Sequence, residues 1–364
     1  MPMVRTRPST EPGCPPASQG RTMAEHIDGV RFARDGGVAR IRLHRPQARN
    51  AVNLPMIMAI RRALEEWRDE PLRVITVESA VDGVFCAGGD IRRVRQNSLE
   101  GDPRASDEFF ATEYRVNEML ASYPIPVVAL IDGVCMGGGL GLSVHGPFRV
   151  VTERAVLAMP ETAIGFFPDV GASYFLSRLP GGLGLYLGLT GARLSPADAL
   201  DVGLATHYVK AADLHAVRQA LAEEAGPVDA VLRRHVSRPE PSGLARHRDT
   251  IDAVFGDVTD LDEVFRRLRH DGSAWARRTL ATLEAMSPQS LALTFDLLLW
   301  GRQRSLRECL DAERAAARRV VTSPDFLEGV RAVLVDKDRS PRWAASEYLG
   351  TGRDGVVRWV VDRS

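Results

Sequence analysis

The chain has 364 residues, 45% of them hydrophobic, enough for about two to three domains or for one domain with a large extension, which excludes a peptide or a disulfide-stapled miniprotein. Its 47 basic and 47 acidic side chains cancel, so no surplus charge draws it onto nucleic acid or an anionic membrane, and neither is expected as a partner. The four cysteines, Cys14, Cys86, Cys135 and Cys309, form no C-x-x-C pair; neither a metal site nor a disulfide framework is expected, and a reducing cytoplasm is the expected compartment.

Residues 1–22 carry five prolines and few apolar side chains, too few to offset the entropy of ordering. Residues 1–24 are therefore expected to form a disordered tail. The prolines spoil an amphipathic transit helix, and Met23 offers an internal start. From Val30 to Leu43 the pattern VRFARDGGVARIRL alternates on either side of Asp35-Gly36-Gly37, the mark of a hairpin. Asn53 followed by Leu54-Pro55 and MIMAIRRALEEW predicts a capped helix with proline in its first turn. Arg73–Glu78 (RVITVE) reads as a short buried strand. The order strand, strand, helix continues through PVVALIDG (Pro126–Gly133) with GVCMGGGLGLSVHG, then FRVVTE and AVLAMP (Phe148–Pro160). It predicts a layered α/β fold rather than a bundle. After Ser195-Pro196, an N-cap with proline at N1, the pattern is mostly helical to about Val335, broken at Arg238–Arg248 by a stretch rich in Pro, Ser, Gly and charge. The expected division is a core over residues 25–235 and a helical C-terminal region over 236–364. No apolar run reaches the ~18 residues that a membrane span requires.

Two glycine-rich turns follow predicted strands: Cys86-Ala87-Gly88-Gly89-Asp90 and Met136-Gly137-Gly138-Gly139. Each leaves backbone N–H groups free where a helix starts, and two such groups aimed at one point would stabilise an oxyanion. The competing reading is close packing, and neither turn matches G-x-G-x-x-G or a P-loop. The loop from Met159 to Gly171 adds Glu161 and Asp169 among Met159, Ile164, Phe166 and Phe167. A carboxylate desolvated there gains basicity and suits a base or nucleophile; alternatively Glu161 is exposed and Asp169 caps the helix GASYFLSRL. His145 and His207 read as hydrogen-bonded structural histidines, and Cys86 and Cys135 as buried, inert thiols.

Taken together, FCAGGDI, ALIDGVCMGGGLGLSVHGPFRVVTE, AMPETAIGFFPDVGASYFLSRL, LTGARLSPADALDVGLATHYV and EGVRAVLVDKDRSPRW resemble the crotonase (enoyl-CoA hydratase/isomerase) superfamily, over roughly residues 30–343. The resemblance implies a crotonase-type spiral of ββα units with a helical C-terminal region. It places the N–H groups of Gly89 and Gly138 in an oxyanion hole for the thioester carbonyl of a coenzyme A ester, with Ala87 and Gly88 lining the coenzyme A channel. Hydratases of the superfamily use two glutamates; the later one matches Glu161, and the earlier position falls on Gly141, so the chain departs from the hydratase pattern. Asp169 instead matches the acid of the 3-hydroxyacyl-CoA hydrolase branch, and Glu113, in TEYRVNEML, matches that branch's substrate contact.

The implied activity is hydrolysis of 3-hydroxyisobutyryl-CoA, or of a similar short 3-hydroxyacyl-CoA, in valine catabolism. Glu161, Asp169, Gly89 and Gly138 would act in catalysis, and Glu113, Ala87, Gly88, Gly138, Glu161 and Asp169 would bind the substrate. The alternatives are an enoyl-CoA hydratase or isomerase and a non-catalytic acyl-CoA binding protein. The resemblance implies neither metal nor cofactor, coenzyme A being part of the substrate, and it allows a homo-oligomer.

Overall fold

The computed structural model describes residues 26, 27 and 29–344. The tail expected at 1–24 lies outside the described residues, as does the end of the C-terminal region. The alternating segment forms β2 (Val30–Asp35) and β3 (Val38–Leu43), antiparallel from Val30 opposite Leu43 to Asp35 opposite Val38, with β1 (His26–Ile27) at the edge. Val30, Phe32, Ile41 and Leu43 are buried, so one face of the hairpin is apolar, as the period of two requires. That face receives α1 (Leu54–Trp67), which buries Met56, Ile57, Ile60, Leu64 and Trp67. Asn53 caps it, its side chain accepting from Met56 N at 3.0 Å.

From there the chain repeats one step. A strand enters a large sheet, a short strand enters a small sheet, and a helical segment closes the unit. The first unit is β4 (Val74–Ser79), β5 (Val84–Cys86), α2 (Ile91–Leu99) and α3 (Pro103–Ala121). The second is β6 (Val127–Ile131), β7 (Val134–Met136) and α4 (Gly138–Gly141); the third is β8 (Phe148–Val151), β9 (Val156–Ala158) and a 3-10 turn over Glu161–Ile164. The large sheet, completed by β10 (His207–Tyr208), has the order β1-β2-β3-β4-β6-β8-β10, and the small one β5-β7-β9. All pairings from β3 onwards are parallel. Parallel neighbours require crossovers; the one from β3 to β4 runs through α1, and each later one delivers its own strand to the small sheet. This is the ββα spiral expected from the sequence.

Downstream lie α5 (Ala172–Phe175), α6 (Leu183–Thr190) and α7 (Pro196–Asp201), the last opened by a Ser195/Asp198 capping box. The outer face of the large sheet is covered by α8 (Leu214–Glu223) and α9 (Val228–Arg233), which enclose a second core of Val74, Val128, Val150, Val217, Leu221 and Leu232. Beyond the Pro- and Gly-containing stretch run α10 (Arg248–Phe255), α11 (Leu261–Asp271), α12 (Ala274–Glu284), α13 (Pro288–Gly301), α14 (Leu306–Val320) and α15 (Pro324–Val330). Charge seats α14 on α3: Asp107 takes both Arg314 and Arg318 at 2.7–3.0 Å, and Arg307 reaches Glu118 at 3.0 Å. Among the described residues no helix is long and apolar enough to cross a membrane.

Candidate active site

Three segments leave the C-terminal ends of neighbouring parallel strands: Ala87–Asp90 from β5, Gly137–Gly139 from β7, and the turn at Glu161 from β9. Strand ends of this kind are where ligands settle in parallel sheets. Val52 and Gly89 form an isolated bridge in which Val52 N donates to Gly88 O at 2.9 Å and Asp90 N to Val52 O at 2.8 Å. The Gly89 N–H points the other way, and neither it nor the Gly138 N–H has an acceptor among the described residues. Gly138 opens α4, where unpaired donors are inherent. The two glycines adjoin: a Cβ on Gly138 would sit 3.2 Å from Gly89 N and 2.7 Å from Glu113 Oε1. Gly137, at φ 48° and ψ −116°, adopts a backbone shape suited to glycine, and a Cβ there would lie 2.5 Å from Glu161 Oε1.

The three acids turn inward, Glu113 2%, Glu161 8% and Asp169 6% exposed. Glu113 stands on the buried face of α3 with Phe109, Phe110, Tyr114 and Asn117. Phe166, from the loop between Glu161 and Asp169, stacks on Phe110 and Phe167 at 5.6 and 4.5 Å between ring centres and leans on Phe326 at 5.7 Å. In this apolar setting burial raises Glu161 well above the usual carboxylate range, and the charge of Asp169 raises it further; Glu113 is raised by the same two causes. Burial pushes Asp169 up to about 7, against the hydrogen bond its Oδ2 accepts from Tyr114 OH at 2.8 Å. Among the described residues Glu113 Oε1 and Glu161 Oε2 are buried without a hydrogen-bond partner, an expensive state for polar atoms and one that suits groups waiting for a substrate. Free amides facing such acids can polarise a carbonyl while one acid attacks or activates water and the others hold a hydroxyl.

The fold thus brings together Gly89, Gly138, Glu113, Glu161 and Asp169. Gly88 adjoins them, a Cβ on it falling 3.9 Å from Gly138 N, and Ala87 is half-buried with its N–H on Arg49 O at 3.1 Å. Asp169 does not cap α5, whose N-cap is Gly171. His145 Nε2 lies 2.7 Å from Val170 O; burial pushes the ring down to about 4, so at neutral pH it is uncharged and donates to that carbonyl. His207 sits apart on β10, beside Thr206 Oγ1 and Asp229. Cys86 and Cys135 pair in register just behind the glycine turns, and burial raises both thiols, Cys86 to about 12, which keeps them unreactive.

Sequence reasoning missed Tyr114, Asn117 and Glu313. Tyr114 had a signal, as the neighbour of Glu113 on one helix; Glu313 had none. The structure also explains Gly141, since a Cβ there would stand 2.8 Å from Val170 Cβ and 2.9 Å from Asn117 Nδ2. A separate groove of about 590 Å³ on the outer side of the large sheet is lined by Arg40, Arg42, Glu78, His215 and Arg218. Its arginines are partly neutralised by Asp35 and Glu78, and its buried acid Glu78 is paired with Arg218, unlike Glu113 and Glu161 of the strand-end cluster.

The enoyl-CoA hydratase/isomerase family profile matches residues 38–356. A mitochondrial 3-hydroxyisobutyryl-CoA hydrolase from Xenopus tropicalis is 45% identical over 313 residues, 83% of this chain and 81% of its own length. One of the same name from Homo sapiens is 40% identical over 89% of this chain and 87% of its own length. Among solved structures, a carnitinyl-CoA dehydratase from Mycobacterium thermoresistibile superposes with a TM-score of 0.84 at 34% identity, covering 92% of this chain and 96% of its own. An enoyl-CoA hydratase from Rhodobacter sphaeroides gives 0.82 at 36%, covering 91% and 96%.

The cytoplasmic expectation is overturned by the hydrolase relatives, which are mitochondrial by name. Free thiols mark a reducing compartment without saying which one. With the profile spanning most of the chain, and these relatives aligned over more than four fifths of it, the chain belongs to the enoyl-CoA hydratase/isomerase (crotonase) family.

Proposed function

We propose that the chain hydrolyses the thioester of 3-hydroxyisobutyryl-CoA, or of a similarly short 3-hydroxyacyl-CoA, to the free acid and coenzyme A, which places it in valine catabolism. The observation that carries this reading is the meeting of two amides without an acceptor among the described residues, Gly89 and Gly138, with the buried acids Glu113, Glu161 and Asp169 at three adjacent strand ends. The names of the aligned hydrolases support it.

The thioester oxygen lies between the Gly89 and Gly138 N–H groups, which take up the negative charge that develops on it; losing one such donor typically costs about 10²–10³ in rate. Glu161 attacks the acyl carbon to give a mixed anhydride, or removes a proton from a water that attacks instead. In both courses the C–S bond breaks, the thiolate leaves and is protonated, and water supplies the new oxygen of the acid. Asp169 and Glu113 hold the 3-hydroxyl, and Ala87 and Gly88 line the coenzyme A channel.

Hydration of an enoyl ester requires a base and an acid around one water. The crowding at Gly141 by Val170 and Asn117 disfavours a second glutamate there, and so disfavours the hydratase reading. The test is release of free thiol from a panel of short acyl-CoA esters with and without a 3-hydroxyl. Preferential release from 3-hydroxyisobutyryl-CoA is expected. Consumption of crotonyl-CoA without thiol release would favour a hydratase, and tight binding without turnover a non-catalytic protein.

A further inference from the structure

Asp169 is followed by two residues in the left-handed region, Val170 at φ 51° and Gly171 at φ 85°. For a β-branched residue that conformation is a true outlier, and it persists only where the surroundings impose it. The imposing contacts come from three distant elements. Tyr114 on α3 donates to Asp169 Oδ2, and His145 donates to Val170 O. The third is Glu313 on α14, whose side chain is fully buried. Its Oε2 accepts from Gly171 N at 2.7 Å, and its Oε1 from Ser173 N at 2.9 Å and Ser173 Oγ at 2.6 Å.

No cation neutralises Glu313 among the described residues. Burial pushes its carboxyl up to about 8, the hydrogen bonds from Ser173 and Gly171 oppose this, and the charge of Asp169 adds to the rise. A buried, unpaired acid is a poor device for stability alone. All three of its hydrogen bonds go to Gly171 and Ser173, where the turn that places Asp169 enters α5.

We propose that Glu313 is a positioning residue for thioester hydrolysis: from the C-terminal helix α14 it locks the Val170–Gly171 turn, so that Asp169 meets the 3-hydroxyl of the acyl group beside Glu161. The inference rests on the hydrolase reading above. Three donors face the two oxygens of Glu313, so it is the ionised form, populated above about pH 8, that offers acceptors to all of them. In Glu313→Gln the amide oxygen still serves Ser173, while the NH₂ group is set against the Gly171 N–H. The turn then shifts although side-chain size and burial are kept.

The experiment compares kcat/KM above pH 8, where Glu313 is ionised, for 3-hydroxyisobutyryl-CoA and for isobutyryl-CoA, which lacks the hydroxyl, in the wild type, Glu313→Gln, Asp169→Asn and the double variant. Misplacement of a reacting group by about 1 Å can cost roughly 10²-fold. Glu313→Gln is therefore expected to lose about 10²-fold on the hydroxylated ester and much less on isobutyryl-CoA, and to add little to Asp169→Asn. A folded variant that loses equally on both esters, or whose loss multiplies with that of Asp169→Asn, overturns the positioning role. Should Glu313→Gln fail to fold, Ser173→Ala deletes one of the three bonds and is read by the same ratio, a several-fold drop being expected and an unchanged ratio being contrary. A wild type that releases no thiol from either ester sinks the hydrolase reading itself; a wild type that discriminates, beside a Glu313→Gln that discriminates equally, sinks only the role of Glu313.

Discussion

Glu161 carries the sharpest expectation at the scale of single residues. Its Oε2 is buried without a partner among the described residues, so Glu161→Gln removes no hydrogen bond seen there and should leave the fold intact. Turnover is expected to drop by about 10²–10⁴-fold or more, since a positioned base contributes on that order and a nucleophile is irreplaceable. A thermal midpoint near that of the wild type with most activity retained would refute the assigned role. The pH profile gives an independent check. Glu161 must be ionised to attack or to take a proton, and burial together with Asp169 holds its pKa well above the ordinary value. The acid limb of kcat/KM is therefore expected to rise with a midpoint clearly above the ~4.3 of an unperturbed glutamate. A profile already flat at pH 5 contradicts this environment.

At the scale of elements, the site is an outcome of strand order. Because β5, β7 and β9 are parallel neighbours, whatever follows their C-terminal ends is gathered on one side. The short α4 needs its glycines for space as much as for backbone shape: Gly138 abuts Glu113 and Gly89, and Gly141 is closed in by α3 and the Val170 turn. Gly141→Glu is accordingly expected to overpack this contact, at a cost of about 1–3 kcal/mol, and not to create hydratase activity. Thermal unfolding and loss of the enoyl absorbance of crotonyl-CoA measure the two parts. A stable variant that hydrates crotonyl-CoA would show that the α3 contact yields and that the missing acid alone separates the two chemistries.

For the whole molecule, the gathering of buried acids sets the pH dependence of stability. Asp169 is pushed up to about 7 and Glu313 to about 8, both mainly by burial. An acid that holds its proton more tightly folded than unfolded stabilises the fold while protonated, and that contribution disappears as pH climbs through the folded pKa. His145, pushed down to about 4, acts in the opposite sense, since below its unfolded value near 6.5 the unfolded chain gains a proton that the fold refuses. The ligand-free protein should therefore lose thermal stability as pH rises from about 6.5 to 8.5, and Asp169→Asn should flatten the early part of that fall. A midpoint that climbs over the interval contradicts protonated acids in the site.

Local rules sufficed for much of this chain. The Asp35–Gly37 hairpin, the Asn53 cap of α1, the Ser195-Pro196 start of α7 and the two glycine turns were legible because each depends on periodicity or on a backbone preference within a few residues. So was the pairing of Glu161 with an apolar loop. Composition alone could not name the compartment, because free cysteines report redox state and not address. Only tertiary structure decided that Asp169 turns to Tyr114 instead of capping α5, that Glu113 faces inward from a charge-rich helix, and that Glu313, 142 residues beyond Gly171, secures the turn that places Asp169. These are contacts between elements far apart in sequence, and a buried acid among unrelated helices has no local pattern from which its partner can be read.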